Sequence, residues 1–261
     1  MEQYIVDAFA DKIFSGNTAA VLPCSKMPSA DIMQNIALEN NYSETAFVVK
    51  LSPGQYHLKW FTPGGEIDLC GHATLAAAYV VHNYIDKGIT EIHFHTLSGE
   101  LTVIKNGKGF TMDFPIGKTK PVPLTKEIEL ATEHMALEAY YDGGDIVVII
   151  SDENALLTFK PNGDLIRKLD GLGLIVTAKS KEVDFVSRCF YPKLDVLEDP
   201  VTGRAHTFLA PIWSKKLNKT VLTAKQLSRR GGILGIELKK DRVLLTGEVQ
   251  LFMKGEIPFT L

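Results

Sequence analysis

Short apolar runs bounded by Gly, Pro or Asn dominate the chain. Residues 4–9, 45–49, 57–61, 92–95, 101–104 and 110–114 form the first set. Residues 146–150, 173–178, 184–190, 243–246 and 249–254 form the second. Their Val, Ile, Phe and Thr content predicts strands. Three other stretches predict helices. Residues 29–40 place Ile32, Met33, Ile36 and Ala37 on one face, the spacing of an amphipathic helix. Residues 72–83 and 205–217 have no comparable polar face over their apolar cores, and a helix apolar all round is enclosed by other structure. Pro211 falls inside the last of these and predicts a kink or a shifted helix.

The two enclosed helices have similar surroundings. In the first half, Trp60-Phe61-Thr62-Pro63 leads to Leu69-Cys70-Gly71-His72 and a helix. In the second, Phe190-Tyr191-Pro192 leads to Glu198-Asp199-Pro200-Val201-Thr202-Gly203 and another. Phe61 and Tyr191 lie 130 residues apart, and the same offset carries residues 43–49 onto the apolar run 173–179. The pattern predicts a duplication: two sheets, each rolled around its own central helix, with both helix N-termini facing a shared cleft. The Pro-rich residues 115–123 read as the linker. This gives domains over 1–117 and 118–261, with the extreme C-terminal strand free to pack on the first. Arg229-Arg230-Gly231-Gly232 reads as a helix end and a turn.

Composition narrows the class. With 45% hydrophobic and 23% charged residues among 261, the chain is that of a packed globular protein. A net charge of −3 with dispersed Lys and Arg gives no general basic surface for nucleic acid. The apolar runs reach about ten residues, short of the roughly 30 Å of a bilayer core, and the first residues carry no secretory pattern. Cys24, Cys70 and Cys189 are odd in number and widely spaced, which fits a reducing compartment. The cytoplasm is the expected location.

Glu44 opens an apolar strand whose two faces, Ala46 and Val48 against Thr45, Phe47 and Val49, both read as buried. A desolvated carboxyl moves toward the pH range of general acid–base work; a strand-end glutamate facing water is the alternative. Gly71 before an enclosed helix leaves open N–H groups, those of Gly71 and Ala73 included, which suit an anion such as a carboxylate. His72 in the first turn is a hydrogen-bond donor or proton relay, kept neutral by the positive helix end, or else a packing histidine. Cys70 is either a base with a lowered thiol pKa or a small buried hydrophobe. In the second half, Asp199 either orients a substrate or caps the helix, and the amides from Thr202 through Gly203 and Arg204 to Ala205 offer a second anion site. No HExxH, paired CxxC or clustered His–carboxylate set appears, so no metal is expected. Neither a dinucleotide glycine motif nor GxSxG is in place.

In these segments the chain resembles the PhzF-like phenazine biosynthesis family, which includes a trans-2,3-dihydro-3-hydroxyanthranilate isomerase. The matching segments are Val6-Asp7-Ala8-Phe9, Ser15-Gly16-Asn17-Thr18, Tyr42-Ser43-Glu44-Thr45-Ala46, Trp60-Phe61-Thr62-Pro63, Asp68-Leu69-Cys70-Gly71-His72-Ala73-Thr74, Glu198-Asp199-Pro200-Val201-Thr202-Gly203 and Gln226-Leu227-Ser228-Arg229-Arg230-Gly231-Gly232. They follow family order over nearly the whole chain. The resemblance implies an α+β, diaminopimelate-epimerase-like fold: two pseudo-symmetric β-barrel halves, each around a central helix, with the active site in the cleft between them. It implies an isomerase with Glu44 as the acid–base residue and His72 and Asp199 in the same site. Asn17, Gly71, Ala73, Thr202, Gly203 and Arg204 become expected substrate contacts, with Cys70 secondary. It implies no metal or organic cofactor, a small carboxylated metabolite as substrate, no nucleic acid or membrane partner, and a homodimer. Arg204 stands where the family usually has serine and favours a more anionic substrate. The rivals are an amino-acid racemase or epimerase using Cys70, and a binding protein without turnover.

Overall fold

The computed structural model describes residues 1–258. The chain divides into two compact units: Met1–Asp113 together with the chain from Leu245 onward, and Phe114–Leu244. The second unit thus starts at Phe114 rather than 118, and most of the last strand belongs with the first.

The first unit carries strands β1 (Glu2–Ala8), β2 (Asn17–Cys24), β3 (Glu44–Ser52), β4 (Gln55–Thr62), β5 (Gly65–Ile67), β6 (Glu91–Thr96), β7 (Gly99–Asn106) and β8 (Gly109–Pro115), with helices α1 (Ala30–Asn40) and α2 (Gly71–Val80). β2 runs parallel to β3, β3 antiparallel to β4, β4 antiparallel to β5 and parallel to β6, and β6 antiparallel to β7. The last long strand, Arg242–Glu256, pairs with both β1 and β8, and β1 pairs with β2. These strands therefore form a closed barrel, which leaves no hydrogen-bonding edge in its ring. Inside it lies α2, buried at His72 through Ala78 and at Val80. Its alanines favour helix and keep the cylinder narrow enough for a surrounding sheet. A π-helical turn over Val81–Ile85 follows, shortening the helix expected to residue 83.

The second unit follows the same plan. Its elements are β9 (Lys120–Val122), α3 (Lys126–Ala131), β10 (Glu138–Tyr141), β11 (Asp145–Ile149), α4 (Glu153–Thr158), α5 (Gly163–Ile166), β12 (Gly173–Lys179), β13 (Phe185–Tyr191), β14 (Val196–Asp199), α6 (Gly203–Leu217), β15 (Val221–Gln226) and β16 (Gly232–Leu238). β11 is parallel to β12, β12 antiparallel to β13, β13 antiparallel to β14 and parallel to β15, and β15 antiparallel to β16. That is the pairing sequence of β2 through β7, with a largely buried helix after the short strand, β5 or β14, in each case. The helix runs through Pro211 without a break.

Several expectations shift. β2 was missed because Asn17-Thr18-Ala19-Ala20 lacks the bulky residues that mark strands. Runs 243–246 and 249–254 are one strand, Arg242–Glu256. Arg229–Gly231 closes the β15–β16 hairpin instead of ending a helix. The presumed linker holds β9, which pairs with β10.

Candidate active site

In the first unit, β2, β3 and the start of α2 bring together side chains from three separate stretches of the sequence. The β2–β3 register sets Ala19 opposite Glu44. Gly16, at φ +71°, makes the turn into β2; a Cβ there would meet the Ala8 carbonyl oxygen at 2.2 Å, so only glycine delivers Asn17 to this place. Glu44 Oε2 lies 2.7 Å from His72 Nε2, with side-chain exposures of 15% and 8%. The pair meets the distance of an ion pair, but its oblique approach makes no directed hydrogen bond, and neither atom has another hydrogen-bond partner among the described residues. On the other side of the ring, Nδ1 lies 3.5 Å from Cys70 Sγ and 3.3 Å from Asn17 Nδ2. Ser43 Oγ reaches the Asn17 amide oxygen at 3.5 Å.

Burial acts on His72 most strongly and lowers its pKa, but its acidic neighbours, Cys70 first and then Glu44, outweigh it and raise His72 well above the usual histidine value. Burial and the Glu44 charge push the Cys70 thiol up, so the thiol and the His72 ring are both shifted toward their protonated forms. The expectation of a neutral His72 is corrected: two acidic neighbours in contact, Cys70 and Glu44, outweigh the partial charge of a helix end.

Although no metal motif exists in the sequence, folding gathers one donor atom each from Glu44, Cys70 and His72 within 4.8 Å of one another. The expectation that no His–carboxylate set forms was drawn from sequence spacing, and the fold overturns it. The ring, however, turns Nδ1 to Cys70 and Nε2 to Glu44. No single ring nitrogen faces both acids, a geometry that suits proton transfer along the row better than a common ion.

The second unit's helix start is built differently. Thr202 Oγ donates to Asp199 Oδ2, and the Thr202 amide donates to Gln226 Oε1 at 2.8 Å. This corrects the expectation that Thr202 offers its amide to an anion. The Gly203 and Arg204 amides remain among the N–H groups that no intrahelical carbonyl can reach. Arg204, the second residue of α6 as His72 is of α2, is committed to two carboxylates: Nη1 to Asp145 Oδ2, and Nη2 to Asp142 Oδ2 at 3.4 Å. Its guanidinium also stacks over Phe208, 4.9 Å from the ring centroid. The extra positive charge expected of Arg204 is thus matched within its own unit. Desolvation raises the pKa of Asp145, whose side chain is wholly buried, while Arg204 opposes the rise.

His206, also in the first turn, is fully buried between Phe185, with Trp213 beyond it, and the Thr202 carbonyl, which accepts from Nδ1 at 2.8 Å. Burial lowers its pKa to about 4. Asp145, His206 and Gln226 had no assigned role in the sequence reading. Gln226 left a signal there: it takes the inward position after Leu222 and Ala224 in an alternating strand.

The family profile described as Phenazine biosynthesis-like protein matches residues 6–255. The chain belongs to this family. An uncharacterized isomerase of Pseudomonas aeruginosa is 43% identical over 252 residues, spanning 97% of this chain and 96% of its own. A phenazine biosynthesis-like domain-containing protein 2 of Mus musculus is 37% identical, spanning 97% of this chain and 98% of its own. Among solved structures, a phenazine biosynthesis protein of the PhzF family from Enterococcus faecalis superposes with a TM-score of 0.95 at 47% identity, covering 99% of both chains. A probable proline racemase from Agrobacterium radiobacter superposes at 0.67 with 9% identity, over 99% of this chain and 93% of its own, a likeness of fold alone. Isomerase names among such close relatives support an isomerase or epimerase class for this phenazine biosynthesis-like protein. No helix among its described residues is long and apolar enough to cross a membrane.

Proposed function

We propose that this phenazine biosynthesis-like protein is a cofactor-independent isomerase that moves a proton between carbons of a small carboxylate-bearing substrate. Glu44 is the general acid–base residue. It takes a proton from a carbon next to a conjugated or carboxyl-bearing centre and returns it at another carbon. The carrying observation is the buried Glu44–His72 contact of 2.7 Å: an acid held beside a titratable ring of matched charge can exchange protons without exposing either to water. Asp199, with the amides of Gly71, Ala73 and Gly203, completes substrate binding in this reading, and those amides stabilise developing negative charge. Asn17 acts on the His72 ring. A cytoplasmic homodimer is part of the same proposal.

The racemase reading needs Cys70 as a thiolate, and burial beside an anion disfavours that form. The test starts with a thermal-shift screen of carboxylates, trans-2,3-dihydro-3-hydroxyanthranilate included. Deuterium uptake from D2O into the binders is then followed. Uptake at carbon that vanishes in Glu44→Gln supports the proposal; uptake unchanged in Glu44→Gln defeats it. Uptake at Cα of an amino acid, abolished by Cys70→Ala, transfers the role to the thiol. Binding without any uptake leaves the binding-protein reading.

A further inference from the structure

The geometry points to Gln226 as a positioning residue that fixes the turn carrying Asp199. This deepens the proposed function and rests on its assignment of Asp199 to the substrate. Gln226 has no exposed surface, and its amide spans both ends of the turn. Nε2 donates to the Asp199 carbonyl at 2.7 Å and reaches Thr202 Oγ at 3.3 Å, while Oε1 accepts from the Thr202 amide at 2.8 Å. Thr202 Oγ in turn donates to the Asp199 carboxylate, so Gln226 sets the carboxylate's direction through one intervening hydroxyl. Two residues on, Ser228 Oγ donates to the Pro200 carbonyl at 2.7 Å and accepts from the Gly231 amide at 3.0 Å. His206 holds the Thr202 carbonyl from the helix side.

The first unit has half of this device. Ser98 sits 130 residues before Ser228 and donates to the Asp68 carbonyl at 2.7 Å, the same serine-to-turn bond just ahead of a central helix. At the same offset before Gln226 stands Thr96, whose hydroxyl bonds Gly99 in its own hairpin. The buried amide clamp is thus an addition particular to the Asp199 turn. Barrel stability in the first unit is achieved without one, so its presence in the second is explained by what the turn carries. A buried amide also makes the geometry unforgiving: losing it leaves the Thr202 amide and the Asp199 carbonyl without their partners.

The experiment uses the full chain and reads amide hydrogen exchange of residues 199–203 together with kinetics on trans-2,3-dihydro-3-hydroxyanthranilate. Gln226→Met is expected to speed exchange in that segment about tenfold while the first unit keeps its wild-type pattern. It is also expected to raise KM more than it lowers kcat, because Asp199 is assigned to substrate binding. Ser228→Ala, which removes a half-buried hydroxyl, is expected to loosen the same segment about threefold and covers the case in which Gln226→Met does not fold. Exchange at 199–203 unchanged in the folded variants overturns the assignment. Wild-type turnover in Asp199→Asn, with exchange still raised in Gln226→Met, keeps the clamp and removes Asp199 from the proposed reaction instead.

Discussion

Each unit encloses a helix with a buried histidine in its first turn, and the two rings are driven in opposite directions. Burial is the largest influence on both, and it lowers both. His206 meets only neutral partners, the Thr202 carbonyl and the Ser187 hydroxyl, and falls to about 4. His72 meets Cys70 and Glu44 and rises well above the usual value. The difference lies in two acidic neighbours that His206 lacks: Cys70 just before the helix, and Glu44 at the head of β3, where the corresponding strand β12 begins with Gly173. The second unit places its carboxylate at the head of β11, as Asp145, and neutralises it with Arg204, a side chain that stays charged at any working pH. One unit thus holds an acid-paired histidine and the other an arginine–carboxylate ion pair.

Glu44→Gln breaks the comparison most severely. Turnover, read as deuterium uptake at carbon, is expected to fall by about 10²–10⁴-fold, the usual worth of a general acid–base group. Acid is the next lever. Because folded His206 titrates near 4 and the unfolded side chain near 6.5, its contribution is complete above about pH 6.5 and is lost as pH falls toward 4. That is a loss of about 3 kcal/mol, seen as a lower urea midpoint and expected to shrink in His206→Phe. His72 has the opposite sign: its contribution is complete below the unfolded value and is lost as pH rises through its raised folded pKa. Arg204→Ala leaves Asp145 buried without its cation. The Arg204 side chain is 46% exposed, so water screens part of the pair and the expected cost is about 2 kcal/mol rather than that of a fully buried pair; urea denaturation measures it. The smallest effect is expected from Cys70→Ala, which should keep turnover within an order of magnitude, since a thiol held protonated is not the base.

The duplicated fold was legible because its core strands are dense in Val, Ile and Phe and its two central helices lack a polar face. β2, built on small residues, and β15, with one face exposed at Val221 and Thr223, carried weaker signals and were missed. Glu44, His72 and Asp199 stood out through their motifs and the family resemblance. The direction of the His72 shift did not, because one of the two neighbours that raise it, Glu44, lies 28 residues away in sequence. Arg204 read as an anion contact for the same reason: its partners Asp142 and Asp145 lie about 60 residues upstream and meet it only after β11 is in place.

Titration of the His72 ring by NMR, in the wild type and in Glu44→Gln, tests the central pairing most directly. The wild-type ring should titrate well above 6.5, and Glu44→Gln should lower that midpoint, because Glu44 is one of the two neighbours that raise it. A midpoint that is the same in both proteins would contradict the account, because it would mean that the carboxylate and the imidazole do not share a proton.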